Sequence, residues 1–250
     1  FTEGMLAWPP DPEAWSLRWY KNMIGDCSAD VVSSTVPCSN KWMVGTLNSF
    51  FIGIVATVIA TSLGTLAALG LSRPHMPFKG IIMAILISPM IVPLIITAAG
   101  MFFFYARINL VYTFTGVILA HVALATPFVV ITVTATLVGF DMNMVKAAQS
   151  LGARPVKTFF RVIMPLILPG IISGALFAFI TSFDEVVIVM FMASLDQLTI
   201  PKQMWAGIRQ EISPVILCMA TCLVALSIFL LTTVELLRRR SERLRGIKPR

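Results

Sequence analysis

Long apolar runs without charge alternate with short polar segments along the chain. Five such runs each hold at least 22 residues, and they lie at 42–72, 80–106, 108–140, 162–183 and 212–234. A helix needs about 20 apolar residues to cross the hydrocarbon core, so each run suffices for one crossing. The pattern predicts an all-α polytopic membrane protein with spans at about 44–71, 81–105, 114–138, 164–192 and 213–236.

Composition excludes the other broad classes. Apolar residues make up 57% of the 250-residue chain and charged residues 12%, and the mean hydropathy is +0.87. A soluble domain has roughly 45–50% apolar and about 25% charged residues. Disorder requires low hydrophobicity and high charge. A water-soluble fold and a disordered chain are therefore both excluded.

Basic residues are unevenly distributed between the connecting segments, and the net charge is +7. Thirteen lie in 72–80, 139–163 and the tail after Leu237, and six in 1–43, 106–113 and 193–212. The positive-inside rule then places the first group in the cytoplasm. We expect a periplasmic segment 1–43, a transmembrane domain 44–237 and a basic cytoplasmic tail 238–250. This distribution favours lipid contact and topology signals over nucleic-acid binding.

Small residues and prolines recur inside the predicted spans. Ala56, Ala60, Gly64 and Ala68 form a stripe that lets another helix approach closely, which favours ordinary helix packing over a substrate role. Prolines interrupt the backbone hydrogen bonds, and the freed carbonyls need partners or a water-lined cavity. The prolines therefore favour a protein with an internal pathway, and they are Pro89, Pro93, Pro127, Pro165 and Pro169.

Isolated polar side chains in the spans are weaker signals. His121 is interpreted as a packed, hydrogen-bonding residue, with a proton relay as the alternative. Cys218 and Cys222 share one helix face but have no His or carboxylate near them in sequence, so we predict no metal site.

Cys27 and Cys38 enclose ten residues of a polar segment on the predicted outer side. Disulfides form in an oxidising compartment such as the periplasm. We predict a disulfide between these cysteines, and closing a loop of this size contributes roughly 3 kcal/mol in the chain-entropy model.

Two adjacent carboxylates, Asp184 and Glu185, interrupt the fourth predicted span. An acidic group at bilayer depth costs on the order of 3 kcal/mol, so it normally faces a cavity or a cation. One hypothesis is that the pair lines the route of a cationic solute, with Phe183 and Trp205 adding cation–π contacts. The alternative is a helix break near the outer surface, where hydrated carboxylates cost little.

The segment 140–170 is predicted to form a short helix, a turn at Gly152 and a second helix opened by Pro155. Glycine at a turn and proline at the start of a helix are the expected signals. Ala147 and Ala148 are small enough for close contact with a partner. Nucleotide-binding and catalytic motifs are absent from the sequence, so we expect no enzymatic activity from this chain.

This segment resembles the EAA loop of bacterial ABC importer permeases. The residues K-A-A-Q-S-L-G (146–152), followed after nine positions by V-I-M-P (162–165), reproduce its spacing, although Lys146 replaces the usual Glu. The resemblance implies a type I importer permease with a coupling loop at 141–161 that contacts the ATPase. It also implies a further helix before Phe1, giving six spans. The residues that the resemblance assigns to the ATPase contact are Lys146, Ala147, Ala148, Leu151, Gly152 and Arg154.

Other segments are similar to the spermidine/putrescine branch of that family. They are SLRWYKNM (16–23), NSFFIGIVAT (48–57), SFDEVVIVMF (182–191) and TIPKQMWAGIRQEISP (199–214). The resemblance implies a second permease, two cytoplasmic ATPase subunits that use ATP and Mg²⁺, and a periplasmic substrate-binding protein, all at a bacterial inner membrane. No cofactor is expected on this chain itself.

Two alternatives stay open for the function. The same type of importer could carry an amino acid or a related amine-bearing compound. A proton-coupled secondary transporter could use Asp184, Glu185 or His121 as a relay, but such a protein usually contains an internal repeat, which these five spans lack.

Overall fold

A computed structural model describes residues 17–25, 40–73, 76–138, 140–141, 143–210 and 214–244. These residues form α-helices and one π-helical segment. In chain order the elements are α1 (Arg18–Met23), α2 (Lys41–Leu71), α3 (Lys79–Ile91), α4 (Leu94–Arg107), α5 (Phe114–Val138), α6 (Asn143–Ser150), α7 (Pro155–Thr158), the π-helical segment (Phe159–Ile163), α8 (Met164–Phe183), α9 (Val187–Met192), α10 (Ile200–Gln210) and α11 (Pro214–Leu244).

The helices confirm the predicted all-α membrane fold. Among the described residues, three continuous helical segments are long and apolar enough to cross a membrane: Lys41–Leu71, Phe114–Val138 and Pro155–Phe183. The pair α3 and α4 makes a fourth if it counts as one span. A shorter apolar helix, Pro214–Phe229, lies where the last span is predicted.

The span predicted at 81–105 is broken into two helices, because the chain bends by 104° between α3 and α4. Val92 is extended, with φ −71° and ψ 137°, and Pro93 follows it at ψ 128°. A residue before proline is driven out of the helical region, and the proline has no N–H to continue the ladder. Pro89 and Pro127, by contrast, lie inside α3 and α5.

The fourth span also differs from its predicted limits of 164–192. The helical run begins earlier, at Pro155, and ends earlier, at Phe183. The π-helical segment carries the helix up to Pro165, whose ring would clash with the carbonyl four residues earlier in a regular α-helix. Asp184 then ends the run, and α9 begins after a short break.

The core of residues 44–203 is built around α5, which packs against α8, α3 and α9. On α8, Gly170 and Gly174 form a small-xxx-small pair that allows close approach to α5. A Cβ on Gly174 would lie 2.5 Å from Thr132 Oγ1 and 3.0 Å from Val129 Cα. The contact between α5 and α8 therefore requires a residue without a side chain at this position.

The small-residue stripe of α2 is buried, which confirms the packing interpretation. Ala56, Ala60 and Ala68 are fully buried, and a Cβ on Gly64 would lie 2.7 Å from Val129 Cβ. The absence of a side chain at Gly64 lets the backbones of α2 and α5 approach closely. Dispersion contacts at such close approaches hold helices together in lipid.

A second compact unit comprises the described residues before 44 and after 203. In this unit α1 packs against α11, and Trp19, Asn22 and Met219 are buried. The predicted domain boundaries at residues 43 and 237 stay predictions.

Candidate functional site

The coupling loop (141–161) contains the predicted helix, glycine turn and second helix, and the structure confirms all three. Asp141 lies two residues before the start of α6, and its Oδ1 accepts a hydrogen bond of 2.9 Å from the N–H of Asn143, one of the N–H groups that the helix itself leaves free. At the other end, the N–H of Gly152 donates to the carbonyl of Gln149, and that of Ala153 to the carbonyl of Ala148. These two bonds form a Schellman motif, which places Gly152 at φ +77°.

Most of the residues assigned to the ATPase contact are accessible. Lys146, Ala147, Gly152 and Arg154 are exposed, and Leu151 is 89% exposed, whereas Ala148 is partly buried. The Leu151 side chain therefore buries little apolar surface against the rest of residues 44–203. The contact of these residues with an ATPase stays a prediction, and the geometry leaves them available for it.

The break between α8 and α9 separates the roles of its two carboxylates. Asp184 is exposed, whereas Glu185 is 7% exposed and its Oε1 accepts a hydrogen bond of 2.9 Å from the N–H of Ile188. Burial raises the pKa of Glu185 above its usual value, and hydrogen bonds to the backbone partly oppose this. Glu185 thus accepts a hydrogen bond from the first turn of α9 at a helix break, and the contact of either carboxylate with a solute stays a prediction.

An aromatic cluster lies directly before this break. The ring centroid of Phe183 is 5.2 Å from that of Phe50 and 5.4 Å from that of Phe179, and Phe50 and Phe179 are 6.5 Å apart. All three rings are partly buried. The cluster joins α2 to the end of α8, and the exposed Asp184 is the next residue in the chain after Phe183.

The connection after α9 is fixed to α2 by hydrogen bonds. Asn48 Nδ2 donates to the carbonyls of Asp196 and Leu198 at 2.8 and 3.0 Å, and Ser49 Oγ accepts from the N–H of Ile200 at 2.8 Å. Lys202 Nζ donates to the carbonyls of Val189 and Ala193 at the end of α9. These bonds fix the connection 193–202 to α2 and to α9.

His121 is buried within α5, and its Nδ1 lies 2.8 Å from Ser182 Oγ. This bond ties α5 to the last turn of α8, as the packed interpretation predicts. The relay role that was the alternative for His121 stays untested.

Several predicted site residues lie elsewhere. Trp205 is 48% exposed on α10 and belongs to the second unit, and its approach to Phe183 stays a prediction. Cys27 and Cys38 lie outside the described residues, so their disulfide also stays a prediction. Among the residues that the structure describes, no three His, Cys, Asp or Glu side chains cluster as a metal site requires.

Sequence reasoning missed Phe50 and Phe179 as members of the aromatic cluster. The four-residue spacing of Phe179 and Phe183 places both on one helix face and was a readable signal. Phe50 lies more than 120 residues away, and only the packing of α2 against α8 brings it there.

The chain is similar to known membrane transport proteins. The sequence model of a family described as "Binding-protein-dependent transport system inner membrane component" matches residues 46–243. The spermidine/putrescine transport system permease protein PotC of Haemophilus influenzae is 30% identical, over 95% of this chain and 86% of its own length. PotC of Escherichia coli K12 is 28% identical over 77% of this chain and 73% of its length. The putrescine transport system permease protein PotI of that strain is 30% identical over 83% and 72%.

Proposed function

The chain belongs to the family of binding-protein-dependent transport system inner membrane components, and from that premise we propose that it imports a small cationic or amine-bearing solute. As a member of this family it is a multi-pass membrane permease subunit of an ABC importer. A polyamine such as spermidine or putrescine is the proposed cargo, which the names of the relatives support.

The observation that carries the cargo proposal is the α8–α9 break. The exposed carboxylate of Asp184 follows directly on the cluster of Phe50, Phe179 and Phe183. A carboxylate attracts an ammonium group, and aromatic faces add cation–π attraction of roughly 0.5–2 kcal/mol. Methylene groups between the amines of a polyamine would pack against the same rings. Trp205 and Glu185 are further candidates on the route.

The permease works with partners that the family implies. We propose a second permease, two ATPase subunits that use ATP and Mg²⁺, and a periplasmic binding protein, with the C-terminus of this chain in the cytoplasm of a bacterium. The coupling loop contacts an ATPase through Leu151 and its neighbours, so that ATP-driven closure of the ATPase pair switches the access of the pathway. This chain binds no cofactor itself.

Uptake by the reconstituted importer tests the cargo. The chain is placed in liposomes with its partners, and ATP-dependent uptake of labelled putrescine, spermidine and a neutral amino acid is measured. We expect amine uptake well above that of the amino acid. Preference for the amino acid would assign the same importer class to the other cargo and would contradict the polyamine proposal.

Asp184→Asn tests the pathway. An exposed ion pair contributes up to about 1 kcal/mol, roughly fivefold in an equilibrium constant, so amine uptake at low concentration should fall by about that factor. Assembly and basal ATP hydrolysis should persist. Asp196→Asn removes an equally exposed aspartate from the neighbouring connection and serves as the control. Normal uptake by Asp184→Asn, or equal losses in both variants, would refute the role of Asp184.

A further inference from the structure

A cavity of about 360 Å³ lies where the coupling loop meets the ends of two spans. Its walls come from the end of α2, the end of α5, α6, α7 and the π-helical segment. The lining residues are Leu69, Ser72, Arg73, Leu137, Phe140, Val145, Gln149, Pro155, Thr158, Phe159 and Ile163. None of these residues lies at the α8–α9 break, so the cavity is distinct from the proposed solute route.

The lining combines an apolar interior with one cation. Aliphatic and aromatic side chains, such as Phe140 and Phe159, form most of the wall, and among the described lining residues Arg73 alone is charged. Arg73 is exposed, and Ser72 and Gln149 add polar groups near the ends of the spans. An amphiphilic anion, with an apolar part and a negatively charged headgroup, matches this arrangement.

The charge around the cavity points to the same class of ligand. The segments 72–80 and 139–163 together hold six basic residues and a single acidic one, Asp141. The cavity lies at the ends of α2 and α5, at Leu71 and Val138, and we place it at the depth of lipid headgroups because both spans end there. Basic pockets between helices at this depth bind anionic phospholipids.

We propose that this cavity binds an anionic phospholipid from the adjacent leaflet. Its phosphate pairs with the guanidinium of Arg73, and part of its glycerol and acyl region packs against the apolar wall. Because Val145 and Gln149 belong to α6 while Leu69 and Leu137 belong to spans, an occupied cavity links the coupling loop to the bundle. The bound lipid therefore stabilises one position of α6 and raises the coupling of ATP hydrolysis to transport.

Lipid retention tests the site directly. The importer containing this chain is placed in nanodiscs of mixed phosphatidylglycerol and phosphatidylcholine, and the lipid retained per complex is counted by native mass spectrometry. We expect the wild type to retain phosphatidylglycerol selectively. Arg73→Gln should weaken retention roughly fivefold, the effect of losing one surface cation.

Two further variants separate a defined site from diffuse attraction. Val145→Phe fills the cavity without changing charge and should also lower retention. Arg161→Gln removes an exposed arginine of the coupling loop, and this arginine does not line the cavity. The variant should therefore retain phosphatidylglycerol like the wild type. Transport per ATP hydrolysed should rise with phosphatidylglycerol in the wild type and in Arg161→Gln, but not in Arg73→Gln.

The proposal is overturned if both cavity variants retain as much phosphatidylglycerol as the wild type. Retention of phosphatidylcholine equal to that of phosphatidylglycerol would overturn it too, since Arg73 would then not select the anionic lipid. An equal loss in Arg161→Gln would assign the binding to the basic surface as a whole, which also contradicts a site in the cavity.

Discussion

The α5–α8 interface and the coupling loop each depend on a glycine, for opposite reasons. Gly174 is buried, and a side chain there would collide with Thr132 and the backbone of Val129. Gly152 is exposed, and a Cβ there would meet no other part of the described chain within 4 Å, but its φ of +77° disfavours other residues. The buried contact restricts side-chain size, whereas the exposed turn restricts backbone conformation. Substitutions at the two positions should therefore affect different properties of the protein.

The largest effect is expected from Gly174→Val. Forcing extra atoms into a packed interface costs about 1–3 kcal/mol, so the yield of folded protein and the apparent Tm in detergent should fall, and uptake with them. Gly100→Val is the matched control, because Gly100 is an exposed helical glycine at which a Cβ would meet no other part of the described chain within 4 Å. Equal losses in both variants would show that the close approach of α5 and α8 is not what Gly174 provides.

A smaller effect on stability but a strong effect on transport is expected from Gly152→Val. The left-handed conformation costs a β-branched residue roughly 1–2 kcal/mol, and the Schellman turn should rearrange while the spans stay folded. We expect uptake to fall and the ATPase to be released or uncoupled, with little change in Tm. Gly152→Asn, which tolerates this conformation, should transport normally. Normal uptake and assembly in Gly152→Val would contradict the role of the turn.

The smallest effect is expected on the pH dependence of stability, because one ionisable group at the α8–α9 break is buried whereas those of the coupling loop are exposed. Lys146, Arg154 and Lys157 of the coupling loop are exposed, whereas Glu185 is buried. Because burial raises the pKa of Glu185, the folded protein binds its proton more tightly than the unfolded chain does. This contribution to stability is fully present below the unfolded pKa of about 4.3 and is lost as the pH rises through the folded-state pKa.

Glu185→Gln should remove that part of the pH dependence. The amide oxygen can still accept from the N–H of Ile188, so the cap persists without the charge. Measuring Tm in detergent from pH 4 to 7 for both proteins checks this. Parallel profiles for wild type and Glu185→Gln would contradict the effect of burial.

The sequence predicted the continuous spans and the coupling loop well. The spans expected at 44–71 and 114–138 correspond to α2 (Lys41–Leu71) and α5 (Phe114–Val138). In both cases an uncharged run longer than a membrane crossing carries the information locally. The turn at Gly152 was also predictable, because its cap depends on neighbours within five residues.

Predictions from the sequence failed where the structure depends on contacts between distant residues or on local effects that oppose each other. Apolar composition alone could not locate the 104° bend at Pro93. Pro89 and Pro127 lie in equally apolar surroundings, and the chain stays helical at both. The limits of the fourth span depended on the π-helical segment before Pro165. The different exposure of Asp184 and Glu185 could not be predicted from two adjacent acidic residues in the sequence.

By itself, the sequence determined the all-helical membrane class, the positions of two spans, the local shape of the coupling loop and the family to which the chain belongs. These features depend on hydropathy and on short-range backbone geometry, which a few consecutive residues specify. Only the tertiary structure decided that Phe50 joins Phe179 and Phe183, that Glu185 is buried while Asp184 is exposed, and that a cavity opens beside Arg73. Each of these requires segments far apart in the chain to pack together, and their contact depends on the shapes of whole helices.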